Sequence, residues 1–257
     1  MRTFGKWLGR TLLVLILLSG ALYAWKRAEI ARVMAVNSLF SAEKIVQNFS
    51  HMDGMFLSAP VPRGEAPISE LVIGQPVDLP EAYDTWVTER AVTSAVVLKD
   101  GLLRHEASYL GTSPDDRRIS WSVGKSFLSA LLGTLLEDGT IASLNDPVTQ
   151  YAPALLGSAY ESASLEDVLQ MESGVRFNED YLDFWSDINK MGRVLALGQS
   201  MDGFATGLRE TIAPAGESWQ YVSIDTHILG MVIRGATGRP IPELLSERII
   251  APLGLEQ

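Results

Sequence analysis

Ser122-Val123-Gly124-Lys125 places a hydroxyl and an amine three residues apart at the head of the apolar run Ser126-Phe127-Leu128-Ser129-Ala130-Leu131-Leu132-Gly133. Three residues of a helix rotate about 300°, so Ser122 and Lys125 share one face and their side chains can interact. A serine hydroxyl is a poor nucleophile until a neighbouring base takes its proton. A lysine amine can be that base only while neutral, which needs desolvation or positive surroundings. A closed cleft supplies the first and a helix N-terminus the second. The pair therefore reads as a serine acyl-transfer site. The same residues also fit an ordinary helix start, with Ser122 as the N-cap and Lys125 solvated.

Spacing alone does not separate these readings, because Ser-x-x-Lys recurs at Ser41-Ala42-Glu43-Lys44. Ser41 sits in a mixed stretch soon after an N-terminal apolar run, with no strand pair before it, and reads as an exposed polar pair. Ser122 has a different context. Residues 93–99, the turn Asp100-Gly101 and residues 102–110 form a hairpin pattern, since Asp-Gly between two β-rich runs is a strong turn signal. A polar loop over 111–119 follows, and the helix opened by Ser122 closes near Glu137-Asp138-Gly139 with glycine in the C-cap role. Beyond it lie a turn at 143–147 into a short helix before Pro153, and a capped helix from Ser164 that stops at Ser173-Gly174. Residues 187–208 are helical with a Gly-rich break, and Pro214-Ala215-Gly216 turns into 219–223. Two helices follow, over 224–237 and 240–250. A β hairpin followed by many helices is an α+β pattern.

The chain has 257 residues, nearly half of them hydrophobic, enough for a sizeable core. Charge is uneven: residues 1–32 carry Arg2, Lys6, Arg10, Lys26, Arg27 and Arg32 against Glu29 alone, leaving 15 basic and 30 acidic residues in the rest. An acidic body of that kind excludes a nucleic-acid partner. Thr11 to Trp25 is free of charge and flanked by basic residues. As a helix it rises about 22 Å, short for a membrane core of about 30 Å unless its flanks snorkel, and it equally suits a signal-peptide core. Lys26-Arg27 directly after the run favours a retained anchor in the inner (cytoplasmic) membrane, with the domain outside, in the periplasm of a Gram-negative source. Secretion after cleavage near Ser19-Gly20-Ala21 is the other possibility. Residues 26–58 read as an amphipathic stalk, and 59–80 as a proline-marked lead-in. There is no cysteine, and His51, His105 and His227 form no cluster, so no metal or other cofactor is expected. Ser223, Asp225 and His227 hold the ingredients of a triad but lie too close together in sequence to bond in series, and they read as a decoy.

Several landmarks stand in order: Ile119-Ser120-Trp121-Ser122-Val123-Gly124-Lys125-Ser126, Glu137-Asp138-Gly139-Thr140-Ile141 into Asn145-Asp146-Pro147-Val148, and Val168-Leu169-Gln170-Met171-Glu172-Ser173-Gly174-Val175. After these come Asn178-Glu179-Asp180-Tyr181, Pro214-Ala215-Gly216-Glu217-Ser218-Trp219-Gln220-Tyr221 and Pro252-Leu253-Gly254. From about residue 92 onward the chain resembles the serine β-lactamase and penicillin-binding-protein-like superfamily, most nearly its 6-aminohexanoate-dimer hydrolases and class C-like esterases. The resemblance implies a β-lactamase/transpeptidase-like fold, an antiparallel sheet flanked by a helical subdomain. It implies a serine hydrolase cleaving amide or ester bonds of small linear substrates. Ser122 would be the acylated nucleophile, Lys125 its base, and Tyr221 the second base and the acid to the leaving group. Tyr221 stands in Tyr-x-Ser rather than the more usual Tyr-x-Asn, and a core role beside Trp219 is the plain alternative. Tyr181 resembles a substrate-contacting tyrosine, with loop packing as the other reading, and Ser223 stands where an asparagine would bind substrate. The oxyanion hole would use the Ser122 N–H and one from a later strand. The family's third motif, a Lys-Thr-Gly or His-x-Gly strand, falls well after Pro-Leu-Gly. Residues 92–257 are therefore expected to be the N-terminal portion of the domain, with an exposed sheet edge and little activity alone. The related alternatives are a D-alanyl-D-alanine carboxypeptidase, a β-lactamase, or a non-catalytic membrane-anchored sensor.

Overall fold

The computed structural model describes residues 2–255, with side chains described at Trp7 and from Thr11 onward; those of Arg2, Lys6 and Arg10, counted above as the basic flank, lie outside the described residues. Helix α1, Arg2–Asn37, runs unbroken through Lys26-Arg27. No proline interrupts it, and Lys26 pairs with Glu29 one turn on at 3.0 Å. The stretch Thr11–Asn37 is long and apolar enough to cross a membrane, about 40 Å at 1.5 Å per residue. The expected stalk over 26–58 is a continuous helix only as far as Asn37. The chain then turns into the short α2, Ile45–Asn48, and a 3-10 turn, Met52–Gly54. The buried Asn48 amide closes that turn by donating to the carbonyls of Ser38 and Leu39 at 3.1 and 3.0 Å.

The sheet has three strands in the order β1-β3-β2: β1 Val72–Ile73, β2 Ser94–Lys99 and β3 Leu102–Ser108. The hairpin is antiparallel and turns at Asp100 and Gly101, both at positive φ (57° and 74°), the mirror-image turn that matches strand twist. β1 pairs with β3 in parallel, so the sheet is mixed rather than purely antiparallel. A two-residue strand among prolines has no periodicity to betray it. Helix α3, Tyr83–Glu89, leads into the hairpin, and the Tyr83 hydroxyl bonds His105 Nε2 and the Tyr109 hydroxyl at 2.9 and 3.0 Å. The lead-in is tied down as well: Ser69 N–H and Oγ donate to the carbonyls of Gly254 and Leu253, each at 2.8 Å.

The body is helical: α4 Val123–Glu137, α5 Val148–Tyr151, a 3-10 turn at Pro153–Leu155, α6 Leu165–Leu169, α7 Asp187–Ala196, α8 Met201–Gly207, α9 Asp225–Thr237 and α10 Ile241–Leu245, which runs into a π turn at Ser246–Ile250. Leu128, Leu131, Leu132 and Leu135 line one stripe of α4 at the i, i+3, i+4, i+7 spacing, and the last three are fully buried. That stripe packs on α9, whose Ile228, Leu229, Met231, Val232 and Ile233 are buried, with Ile141, Val148, Leu155, Leu165 and Val168 completing the core. Ser164 and Asp167 form the capping box of α6, each side chain bonding the other's backbone N–H. The far end of α1 rests on α7, where Arg32 Nε donates to the Ala196 carbonyl at 2.7 Å.

Candidate active site

Ser122 sits at the first turn of α4, behind a residue in an uncommon conformation. Trp121 has φ of 45°, left-handed space that a bulky side chain enters only when its surroundings impose it. Those surroundings come from the segment after α1. Phe40 stacks on the Trp121 ring with centroids 5.7 Å apart, and Phe49 meets it edge-on at 5.2 Å. The Ile119 N–H donates to the Phe49 carbonyl at 2.9 Å. Arg118 reaches the Val46 carbonyl at 2.6 Å, the Ser50 hydroxyl at 2.7 Å and the Thr93 hydroxyl at 3.1 Å. Residues 40–50 thus clamp the loop that presents Ser122.

The Ser122 hydroxyl does not cap α4. It lies 2.7 Å from the Tyr221 hydroxyl, ninety-nine residues on. Lys125, half-buried one turn along α4, holds its amine 5.9 Å from the centroid of the Tyr221 ring and makes no hydrogen bond or ion pair among the described residues. Among those residues the Ser122 N–H is also unengaged, so it is free to donate to an incoming carbonyl oxygen. Tyr221 is held by its neighbours. The Gln220 N–H donates to the Met171 carbonyl at 3.0 Å, and its side-chain amide to the Phe177 carbonyl at 2.9 Å. Gly174, at φ 70°, lets the segment around Ala213 come close: a Cβ there would lie 2.3 Å from the Ala213 carbonyl oxygen. That approach aligns the run from Ala213 to Tyr221 beside the α4 N-terminus.

Two carboxylates, Glu179 and Asp225, lie in the segments next to this pair. Ser223 is buried and donates its N–H and Oγ to the two oxygens of Glu179. Tyr181, two residues past Glu179, is exposed; partial burial and the Glu179 carboxylate push its phenol pKa up. Deeper still, Asp225 is 0% exposed and accepts at Oδ1 from the Tyr160 hydroxyl at 2.6 Å and from Ser173 Oγ at 3.0 Å. Burial pushes its carboxyl up to about 7 against the pull of those two hydrogen bonds; the charge of Glu179 adds to the rise and that of Lys125 opposes it. Burial likewise raises the Tyr160 phenol, with Asp225 beside it. His227 faces elsewhere, bonded to Asp202 at 2.8 Å, a carboxylate shared with Arg234 at 2.7 Å. Ser223, Asp225 and His227 therefore serve three separate partners.

The structure brings Ser122, Lys125 and Tyr221 together, with Ser223 two residues from Tyr221 and Tyr181 on the neighbouring loop. The cleft expected to desolvate the lysine is open among the described residues, with Ser122 exposed and Tyr221 at the margin of exposure. Desolvation is concentrated one layer down, at Asp225. Sequence reasoning missed the Phe40–Phe49–Trp121 clamp, the Glu179–Ser223 contact and the Tyr160–Asp225–Ser173 knot. Only the Ser223, Asp225 and His227 cluster carried any signal for these, and it reads as a decoy triad.

Residues 85–257 match the family model described as Beta-lactamase. The chain belongs to the Beta-lactamase family. Among curated relatives of this family member, 6-aminohexanoate-dimer hydrolase of Paenarthrobacter ureafaciens is 32% identical over 66% of the chain and 44% of its own length. D-aminopeptidase of Brucella anthropi is 29% identical over 63% of the chain and 31% of its own. The chain thus spans less than half the length of these curated relatives. Among solved structures, a proposed 6-aminohexanoate-dimer hydrolase from Bacillus anthracis superposes with a TM-score of 0.69 at 18% identity, covering 85% of this chain and 62% of that one. A proposed β-lactamase from Bacteroides dorei gives 0.51 at 24% identity, over 67% and 49%. These likenesses concern the fold: α+β, β-lactamase/transpeptidase-like, with a small sheet against many helices.

Proposed function

We propose that the chain is the nucleophile-bearing part of a serine hydrolase that cleaves amide or ester bonds of small linear substrates through an acyl-enzyme. The observation that carries this reading is the 2.7 Å contact between the Ser122 and Tyr221 hydroxyls with the Lys125 amine alongside. Ser122 Oγ bonds the carbonyl carbon while its proton passes to Lys125. The carbonyl oxygen, now negative, takes the free N–H of Ser122 as one donor. The bond to the leaving amine or alcohol then breaks, Tyr221 delivers the proton that the leaving group needs, and the Lys125 ammonium passes its proton to Tyr221, which restores both groups. Water releases the acyl group by the same steps reversed. Tyr181 and Ser223 flank the substrate. The names of the curated relatives, a dimer hydrolase and a D-aminopeptidase, lean toward amides. Helix α1 would anchor this domain at a membrane, with the signal-peptide reading as the other use of the same helix.

The test is turnover of a panel of short linear amides and p-nitrophenyl esters by the protein in detergent, with two serine variants. Ser122→Ala lowers the rate by at least about 1000-fold. Ser41→Ala, the other Ser-x-x-Lys serine, leaves it within about twofold, within the usual reach of a substitution away from the chemistry. Equal rates in Ser122→Ala and the unaltered protein defeat the reading. Acylation without turnover supports the penicillin-binding-like sensor instead.

A further inference from the structure

Helix α1 changes character along its length. Between Thr11 and Trp25 its side chains are exposed all round, large apolar ones such as Leu12, Leu18 and Tyr23 included. From Lys26 onward one stripe is covered. Lys26, Glu29, Val33 and Val36 are partly buried, at the i, i+3, i+7, i+10 spacing of a helix packed along one side. The cover is the C-terminal end of α7. Arg32 Nε is held by the Ala196 carbonyl at 2.7 Å, and a cavity of about 370 Å³ is lined by Lys26, Ile30 and Met34 of α1 together with Leu197 and Gln199. Leu57 comes alongside at Gly198, where a Cβ would lie 3.2 Å from Leu57 Cδ1. Yet Leu57, Leu195 and Leu197 remain exposed, as do Ile30 and Met34. Neither residues 54–60 nor residues 195–201 carry a charge, although the body as a whole is strongly acidic.

We propose that this face, Leu57 with Leu195 and Leu197 beside α1, is seated in a lipid surface, its side chains at the boundary between acyl chains and headgroups. This rests on the reading of α1 as a membrane anchor. Three observations support it. The first is level. Leu197 shares a cavity with Lys26, the first residue after the apolar run, and Ala196 holds Arg32 two turns on. The face therefore stands within about 10 Å of the end of that run along the helix axis. The headgroup region on each side of a bilayer is roughly 5 to 8 Å deep, so a helix entering the core as far as Trp25 brings these leucines to it. The second is length. The run rises about 22 Å against a core of about 30 Å, and the deficit draws the next turns of α1 inward. Ile30 and Met34, four residues apart on one exposed side, offer apolar surface there while Lys26 and Arg27 snorkel. The third is charge. Lys26, Arg27 and Arg32 suit lipid phosphates, and the one acid of this part of α1, Glu29, is paired with Lys26 at 3.0 Å. A second copy docked face to face would set that basic cluster against its own likeness.

The chain has no cysteine, so a fluorophore on one introduced thiol reports a single position. The full chain is reconstituted in phosphatidylcholine–phosphatidylglycerol vesicles whose acyl chains carry a nitroxide quencher. The labelled variants are Leu57→Cys, Leu197→Cys, Leu18→Cys and Glu137→Cys. Leu57 and Leu197 are exposed, so neither change empties the core, and if one variant fails to fold the other decides alone. Leu18 reports on the apolar run itself. Glu137 closes α4, about 22 Å of helix from Ser122, and serves as the distant control. Seating about 5–10 Å into the boundary predicts loss of at least about half the fluorescence at Leu57, Leu197 and Leu18, against less than about a tenth at Glu137. Quenching at Leu18 with Leu57 and Leu197 as bright as Glu137 overturns the seating and leaves the anchor standing. No quenching at Leu18 removes the anchor reading and the seating with it. Bright probes at Leu57 and Leu197 that aqueous iodide fails to reach put a second copy or another protein on the face, which also overturns the proposal. Equal quenching at all four positions overturns it as well, since the domain then prefers no face.

Discussion

Replacing Tyr221 by phenylalanine deletes one oxygen at the centre of the candidate site and leaves the ring in place. That oxygen lies 2.7 Å from Ser122 Oγ, and the Lys125 amine approaches the ring that remains. Both hydroxyls are at least partly exposed, so losing their contact costs the fold no more than about 1 kcal/mol. Catalysis should suffer far more. A positioned acid–base group contributes about 10²- to 10⁴-fold, roughly 3 to 5 kcal/mol of barrier. The loss should depend on the leaving group. An amide nitrogen must be protonated to depart and should show the full effect, whereas p-nitrophenolate leaves unaided and should show about a tenth of it. Stopped-flow acylation by matched anilide and p-nitrophenyl ester substrates, with Tm recorded for both proteins, separates these terms. A fall of less than about fivefold on the anilide, or an equal fall on both substrates, refutes Tyr221 as the leaving-group acid.

Other expectations concern the scaffold that holds the site. A Cβ at Gly235 would sit 1.8 Å from the Tyr151 carbonyl oxygen, backbone that cannot move aside, so Gly235→Ala should force α5 from α9 and cost about 3 kcal/mol or more, read as a large fall in Tm. Ser164→Ala breaks the α6 capping box and should cost about 1 kcal/mol in urea denaturation. Folded Asp225 keeps its proton up to about pH 7, whereas the unfolded carboxyl loses it near 4. The native state therefore binds the extra proton between those values, and this group's contribution makes stability fall as pH rises from about 4 to 7, by up to about 4 kcal/mol. Denaturation across that range should show the slope, and Asp225→Asn should flatten it. Phe40→Ala removes the ring stacked on Trp121 and should slow Ser122 acylation about tenfold while α4 stays folded by circular dichroism; an unchanged rate would show that the clamp does not set the nucleophile's position.

Local patterns carried the helical body. The Leu stripe of α4, the Ser164 capping box and the Asp100-Gly101 turn are short-range features with one stable outcome each, and all three stand where the pattern puts them. The pairing of Ser122 with Tyr221 across ninety-nine residues came from family resemblance rather than from spacing. What the sequence hid is of another kind. β1 is two residues long, too short to express a period of two. The contacts of Phe40 and Phe49 with Trp121, and of Glu179 with Ser223, join segments with no shared rhythm. Asp225 looks like a surface carboxylate at a helix start, as Asp often is, and only the packing of α4 and α9 reveals it as buried. The stalk ended early because Asn48, buried against Ser38 and Leu39, closes a turn that hydrophobic periodicity does not encode.

Peptide mapping by mass spectrometry after reaction with a fluorophosphonate addresses the nucleophile itself. The adduct should fall on the peptide containing Ser122, with none at Ser41, and Ser122→Ala should carry no adduct at all. An adduct on any other residue, or labelling that survives Ser122→Ala, would contradict the assignment of Ser122 as the acylated serine.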